Sequence, residues 1–142
     1  MNQDLLQLIE YEIALLVRLT TAHSPRLGSL DRSEYLMLSE LDENGPLAIN
    51  VLSDTLMLNL STASRQVSNL ESKNFIKRYP NHNNRRISLV QITKEGKEIL
   101  HRVQKARNAV YAEILHEWTV EELKQLEANL TRLNRDFKSW GN

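Results

Sequence analysis

Apolar residues recur at three- and four-residue steps through DLLQLIEYEIALLVRLT (4–20), at Leu5, Ile9, Ile13 and Leu16, with Thr20 closing the series. Leu6, Leu8, Leu15, Val17 and Leu19 widen the stripe. That spacing predicts a long helix that is apolar on more than one side. Such a helix has more surface to bury than its own core can cover, and a second subunit is the natural cover. Pro25 and Gly28 in SPRLGSL (24–30) end it. Asp31 and Glu34 have the spacing of a capping box and open a second helix, which carries Leu36, Leu38 and Leu41. ENGP (43–46) stops that helix, and AINVLSDTLM (48–57) predicts a third, short one. After a tight LNLS connection (58–61), STASRQVSNLESK (61–73) predicts a fourth, with Ala63, Val67 and Leu70 inward. Asn74 is the expected stop, because asparagine tolerates the left-handed backbone.

The period then changes from helical to alternating. FIKRYP (75–80) and RISLVQI (86–92) predict two strands joined by an asparagine-rich turn, NHNN. Thr93 caps a long helix whose stripe includes Ile99, Val103, Ala106, Val110 and Ile114. Thr119 and Glu122 form a second capping box, followed by Leu123, Leu126, Leu130, Leu133 and Phe137. The expected fold is mainly α with a two-stranded β-wing. Two short helices joined tightly and followed by a hairpin have the order of a winged helix-turn-helix.

Composition adds exclusions. The 142 residues suit one domain, with or without an oligomerisation element. With no cysteine, disulfides and thiolate-ligated zinc or iron–sulfur centres are ruled out. No apolar run approaches the ~20 residues of a membrane span, and the first residues lack a basic signal-like segment. No membrane association is expected, and the cytoplasm is the expected compartment.

Charge changes the picture more. The net charge of zero hides a polarised chain. Residues 1–60 hold three Lys/Arg against nine Asp/Glu, whereas residues 61–102 hold nine against three. One contiguous third therefore carries the positive field, which suggests a polyanionic partner.

The outward positions of helix 61–73 are Ser61, Thr62, Ser64, Arg65, Gln66, Ser68 and Asn69. An ordinary solvated face would carry more Glu and Lys, which are better helix formers than Ser, Thr or Asn. Compact donors and acceptors suit base edges in the major groove, where Arg pairs with guanine and Gln or Asn with adenine. Arg65, with Gln66 or Asn69, is the expected base reader. The hydroxyls near the helix start are expected at phosphates or base edges. At the hairpin tip, Arg85 and Arg86 would meet the neighbouring minor groove, whose negative potential favours arginine. Lys77, Arg78 and Lys94 are expected to add weaker phosphate attraction.

These motifs give the chain a resemblance to the MarR family of transcriptional regulators over nearly its whole length. LSDTLMLNLSTASRQVSNLESKNFIKR (52–78) resembles the family's helix-turn-helix, and NNRRISLVQITKEG (83–96) resembles its wing and the start of the next helix. The family pattern there is Asp-x-Arg, a strand, then Leu-Thr-x-x-Gly. Asn84, Arg85 and Arg86 fill the first three positions, and Ile92, Thr93 and Gly96 match the end. The resemblance thus assigns the minor-groove role to Arg86. Asn84 departs from the family's aspartate, which orients the arginine by an ion pair. Met57 and Asn74 stand where relatives often have glycine.

The resemblance implies a helical dimerisation region from residues 1–30 and 98–142 around a DNA-binding region at 31–97. It further implies a homodimer on a pseudo-palindromic double-stranded DNA operator, a repressor's role, and a small-molecule effector between the two regions. Other readings compete with it. Four histidines (His23, His82, His101, His116) occur without a nucleophile elbow, an HExxH pair or a phosphate loop, so no enzyme is expected. No two of them stand at i, i+3 or i, i+4, so neither a metal nor a cofactor is expected. A protein-interaction module and a nonspecific DNA-binding module stay open as alternatives.

Overall fold

The computed structural model describes residues 2–141, so the two outermost residues of the expected dimerisation segments lie outside it. Six helices and three short strands follow one another as α1 (Gln3–Ala22), α2 (Arg32–Asn44), β1 (Leu47–Ala48), α3 (Ile49–Thr55), α4 (Leu60–Ser72), β2 (Ile76–Pro80), β3 (Ser88–Ile92), α5 (Lys94–Ile114) and α6 (Val120–Ser139). A single 3-10 turn, Ser24–Arg26, lies in the linker after α1.

Local signals end these helices as the sequence predicts. The Asp31 carboxylate accepts from the Glu34 N–H at 2.8 Å, and Glu34 accepts from the Asp31 N–H at 3.1 Å. Thr119 and Glu122 make the same reciprocal pair at the start of α6. Thr93 caps α5 by accepting from the Gly96 N–H at 3.0 Å. Met57 and Asn74 both have positive φ, at 52° and 64°. The backbone is therefore left-handed at both positions, a conformation that glycine adopts at less cost.

Several details differ from the sequence expectation. Helix α3 spans Ile49–Thr55, so Met57 lies beyond it, and β2 begins at Ile76 rather than Phe75. Strand β3 begins at Ser88, so Arg86 belongs to the turn. Helix α4 begins at Leu60 on an Asn59 cap, so Ser61 lies inside its first turn. The hairpin also has a third partner. Strands run in the order β1-β3-β2, all antiparallel, with Leu47 opposite Val90 and Ala48 opposite Leu89. A two-residue strand is too short to show alternation.

The core lies within the head formed by α2–α4, the sheet and the first half of α5. Met37, Leu38, Leu41, Leu52, Ala63, Val67, Leu70, Ile76, Val90, Leu100 and Val103 are buried there. Gly96 makes this closure possible, since a Cβ there would lie 2.1 Å from the Phe75 carbonyl oxygen. Outside the head, burial stops. Neither α1 nor α6 has a buried residue. Leu5, Leu8 and Leu16 of α1 and Phe137 of α6 are each more than half exposed. Among the described residues no helix is long and apolar enough to cross a membrane.

Candidate nucleic-acid interface

Helix α4 has its apolar side committed: Ala63, Val67 and Leu70 are buried in the head. Its polar side is therefore presented outward. Asn59 organises the first turn, accepting from the Thr62 N–H and from the Ser61 hydroxyl, each at 2.8 Å. Ser61, Arg65, Ser68 and Asn69 are exposed, while Thr62, Ser64 and Gln66 are half-buried. The Gln66 carbonyl oxygen is buried without a hydrogen-bond partner, so this amide is turned partly inward. Arg65 and Asn69 are the longer polar side chains left facing solvent.

The wing tip is built from asparagine. Asn83 donates its N–H to the Asn81 side chain at 2.8 Å, and Arg86 donates its N–H to the Asn84 side chain at 3.1 Å. Backbone bonds from Asn81 to Ile87 and from Ile87 to Asn84 close the loop. These are Asx turns, in which a side-chain oxygen takes the place of a backbone carbonyl. Arg86 leaves this turn with its N–H committed to Asn84, and the Arg85 and Arg86 side chains are both exposed.

The expected phosphate contacts separate into two groups. Lys77, Lys94 and Lys97 line one groove at the base of the wing with Gln91, Ile92 and Thr93. Arg78 is engaged elsewhere. Its Nη2 donates to Ser68 Oγ at 2.8 Å, and its Nε donates to Glu71 at 3.3 Å. Strand β2 is thereby fastened to α4, and both Ser68 and Arg78 take part in the fastening.

Three roles escaped sequence reasoning. Asn59, read as part of a connection, is the cap of α4; an Asn just before a helical run is a recognisable signal. Glu34 is buried and ion-paired to Lys73 at 2.6 Å. Arg107 donates to the carbonyls of Leu27 and Leu30 at 2.8 and 3.2 Å and stacks over Tyr35 at 4.1 Å. Nothing local announces the last two pairings.

An outward hydroxyl- and amide-bearing helix stands next to an arginine-tipped hairpin, and comparison with known proteins agrees with that geometry. Residues 30–88 match the MarR family model. The chain is 38% identical over 139 residues to the uncharacterized HTH-type transcriptional regulator YxaD of Bacillus subtilis, covering 96% of this chain and 97% of that one. The chain belongs to the MarR family. As a MarR-family member it is a DNA-binding transcriptional regulator and not an enzyme. A solved MarR-family protein from Bacillus stearothermophilus shares the fold with a TM-score of 0.81 at 19% identity, covering 98% of this chain and 99% of that one. A mutant MarR from E. coli, solved with operator DNA, has a TM-score of 0.65 at 22% identity, covering 86% and 95%. Within the MarR fold, the end of α1, the linker, the start of α2 and α5 of this regulator line an open cleft of about 500 Å³. Thr20, Leu27, Leu30, Arg32, Arg107 and Tyr111 are among its walls.

Proposed function

We propose that this MarR-family regulator works as a homodimeric repressor on a pseudo-palindromic operator and is modulated by a small molecule held in the linker cleft. The observation that carries this reading is the free polar face of α4 beside the Asn84–Arg86 turn. Arg65 and Asn69 read base edges in the major groove, with Gln66 at the margin. Ser61, Thr62 and Ser64 contact phosphates or bases near the helix start. Arg86 enters the minor groove, and Arg85, Lys77 and Lys94 neutralise phosphates. Ser68 and Arg78 shape this surface together.

The unpartnered outer helices support the dimer. Leu8, Ile9, Ile13 and Leu16 of α1 and Leu133 of α6 line one apolar groove. Surface of this kind on a soluble chain marks an interface. A two-fold axis through it sets two recognition helices on successive major grooves, with half-sites ~10 bp apart. The MarR solved with operator DNA supports the choice of ligand. A MepR-like protein solved with pseudoligands, 20% identical with a TM-score of 0.70, supports a small-molecule site.

Selection of bound duplexes from a random pool, followed by titration at several salt concentrations, tests the reading. The expected result is a pseudo-palindrome preferred over random duplex, with log affinity falling steeply against log salt. Equal affinity for palindrome and random duplex would make the protein a nonspecific binder. Indifference to salt and to every duplex would favour a protein-interaction module instead.

A further inference from the structure

A short series of polar contacts runs from the cleft to the recognition helix. It begins on α5, where Arg107 holds the Leu27 and Leu30 carbonyls. The next residue, Asp31, donates its N–H to Glu34 Oε1 at 3.1 Å. The other oxygen, Glu34 Oε2, accepts from Lys73 Nζ at 2.6 Å. Lys73 is the C-cap of α4, and its own N–H donates to the Asn69 carbonyl at 3.2 Å. Four of the groups in this series, Leu27, Leu30, Asp31 and Arg107, also line the cleft.

We propose that Glu34 and Lys73 are positioning residues that couple the linker beneath the cleft to the orientation of recognition helix α4. The proposal rests on the functional reading above and says how its cleft is connected to its DNA face.

Burial is what makes Glu34 a coupling element. Its side chain is only 9% exposed, and each carboxylate oxygen has one committed partner. A desolvated carboxylate that loses a partner keeps the full cost of its burial. Movement of Asp31 therefore cannot be absorbed by water around Glu34. The carboxylate is thereby held to the linker, and Lys73, whose side chain is half exposed, is the cation paired with it. Lys73 stands at the corner where α4 gives way to the left-handed Asn74, so the ion pair ties that end of the helix to the linker. Coupling of this kind is reciprocal: DNA held by α4 must also restrain the linker. Contiguity alone does not establish coupling, so the test measures both ends.

Glu34→Gln separates the two bonds. A glutamine keeps the capping bond, since its amide oxygen can accept from Asp31. Its amide nitrogen then faces the Lys73 ammonium and cannot pair with it. Hydrogen exchange is followed in the full chain, with and without a duplex recovered from the selection. In the wild-type protein the operator should slow exchange at residues 27–31 by about fivefold or more, a typical coupling. In Glu34→Gln that slowing should disappear, while slowing at the wing, 81–87, persists and shows that DNA is bound. Lys73→Met should act in the same way, and the double variant should lose no more than either single one. The proposal is overturned if the linker slowing survives in Glu34→Gln. It is also overturned if the wild-type wing is protected while the linker is unaffected; that result leaves the DNA-binding reading standing. A wild-type wing that no duplex protects would sink that reading and this proposal together.

Discussion

Asn84 Oδ1 accepts a hydrogen bond at 3.1 Å from the backbone N–H of Arg86. A neutral amide side chain thus holds the backbone of the wing arginine. Asn84→Ala removes the bond and loosens the turn. We expect operator affinity to fall by about 0.5–1.5 kcal/mol, the usual net value of one hydrogen bond. Asn84→Asp should retain the turn. Arg86→Ala should weaken binding most where the flanking DNA is A·T-rich, because a narrow groove has the strongest potential. Equal losses on A·T- and G·C-rich flanks would count against groove insertion.

Arg65 is exposed on α4 with no internal partner among the described residues. Arg65→Ala should cost about 1–3 kcal/mol of operator binding and relax preference at one base pair of each half-site. A loss that is uniform across all sequences would make Arg65 a phosphate anchor.

Arg78 and the wing-base lysines should behave differently under salt. Lys77→Met or Lys94→Met should each lower the slope of log affinity against log salt by about one per bound protomer. Arg78→Met should leave that slope nearly unchanged, because Glu71 and Ser68 already occupy the guanidinium. A slope change for Arg78→Met as large as for the lysines would show that it leaves Glu71 for phosphate.

Two backbone positions predict opposite effects on stability. Gly96→Ala forces a Cβ to within 2.1 Å of the Phe75 oxygen and should destabilise the head by about 1–3 kcal/mol or more. Met57→Gly relieves a left-handed residue that is 61% exposed, and should stabilise by up to about 1 kcal/mol. Denaturant titration checks both.

Leu133 of α6 faces the apolar groove against α1 and is 37% exposed in the single chain. Leu133→Glu should turn the proposed dimer into a monomer in sedimentation and abolish high-affinity operator binding. The head should still unfold cooperatively, since α6 contributes nothing to its core. A dimer that survives the substitution would locate the interface elsewhere.

Whatever depends on near neighbours along the chain was legible in the residues themselves. Helix stripes, the two capping boxes, the left-handed Asn74, the strand pair and the polar face of α4 all follow from spacings of four residues or fewer. So does the resemblance at Asn84, Arg85 and Arg86. Which distant groups meet was settled by folding. Lys73 reaches Glu34 across 39 residues of sequence, and Arg107 reaches Leu30 and Leu27 across 77 and 80. Strand β1 exists only because β3 offers it a ladder. Arg78 looked free for phosphate until the register of β2 set it beside Ser68 and Glu71. The physical reason is range. Periodicity and capping act within about one helical turn, whereas a buried ion pair or a strand edge is selected by the packing of the entire head.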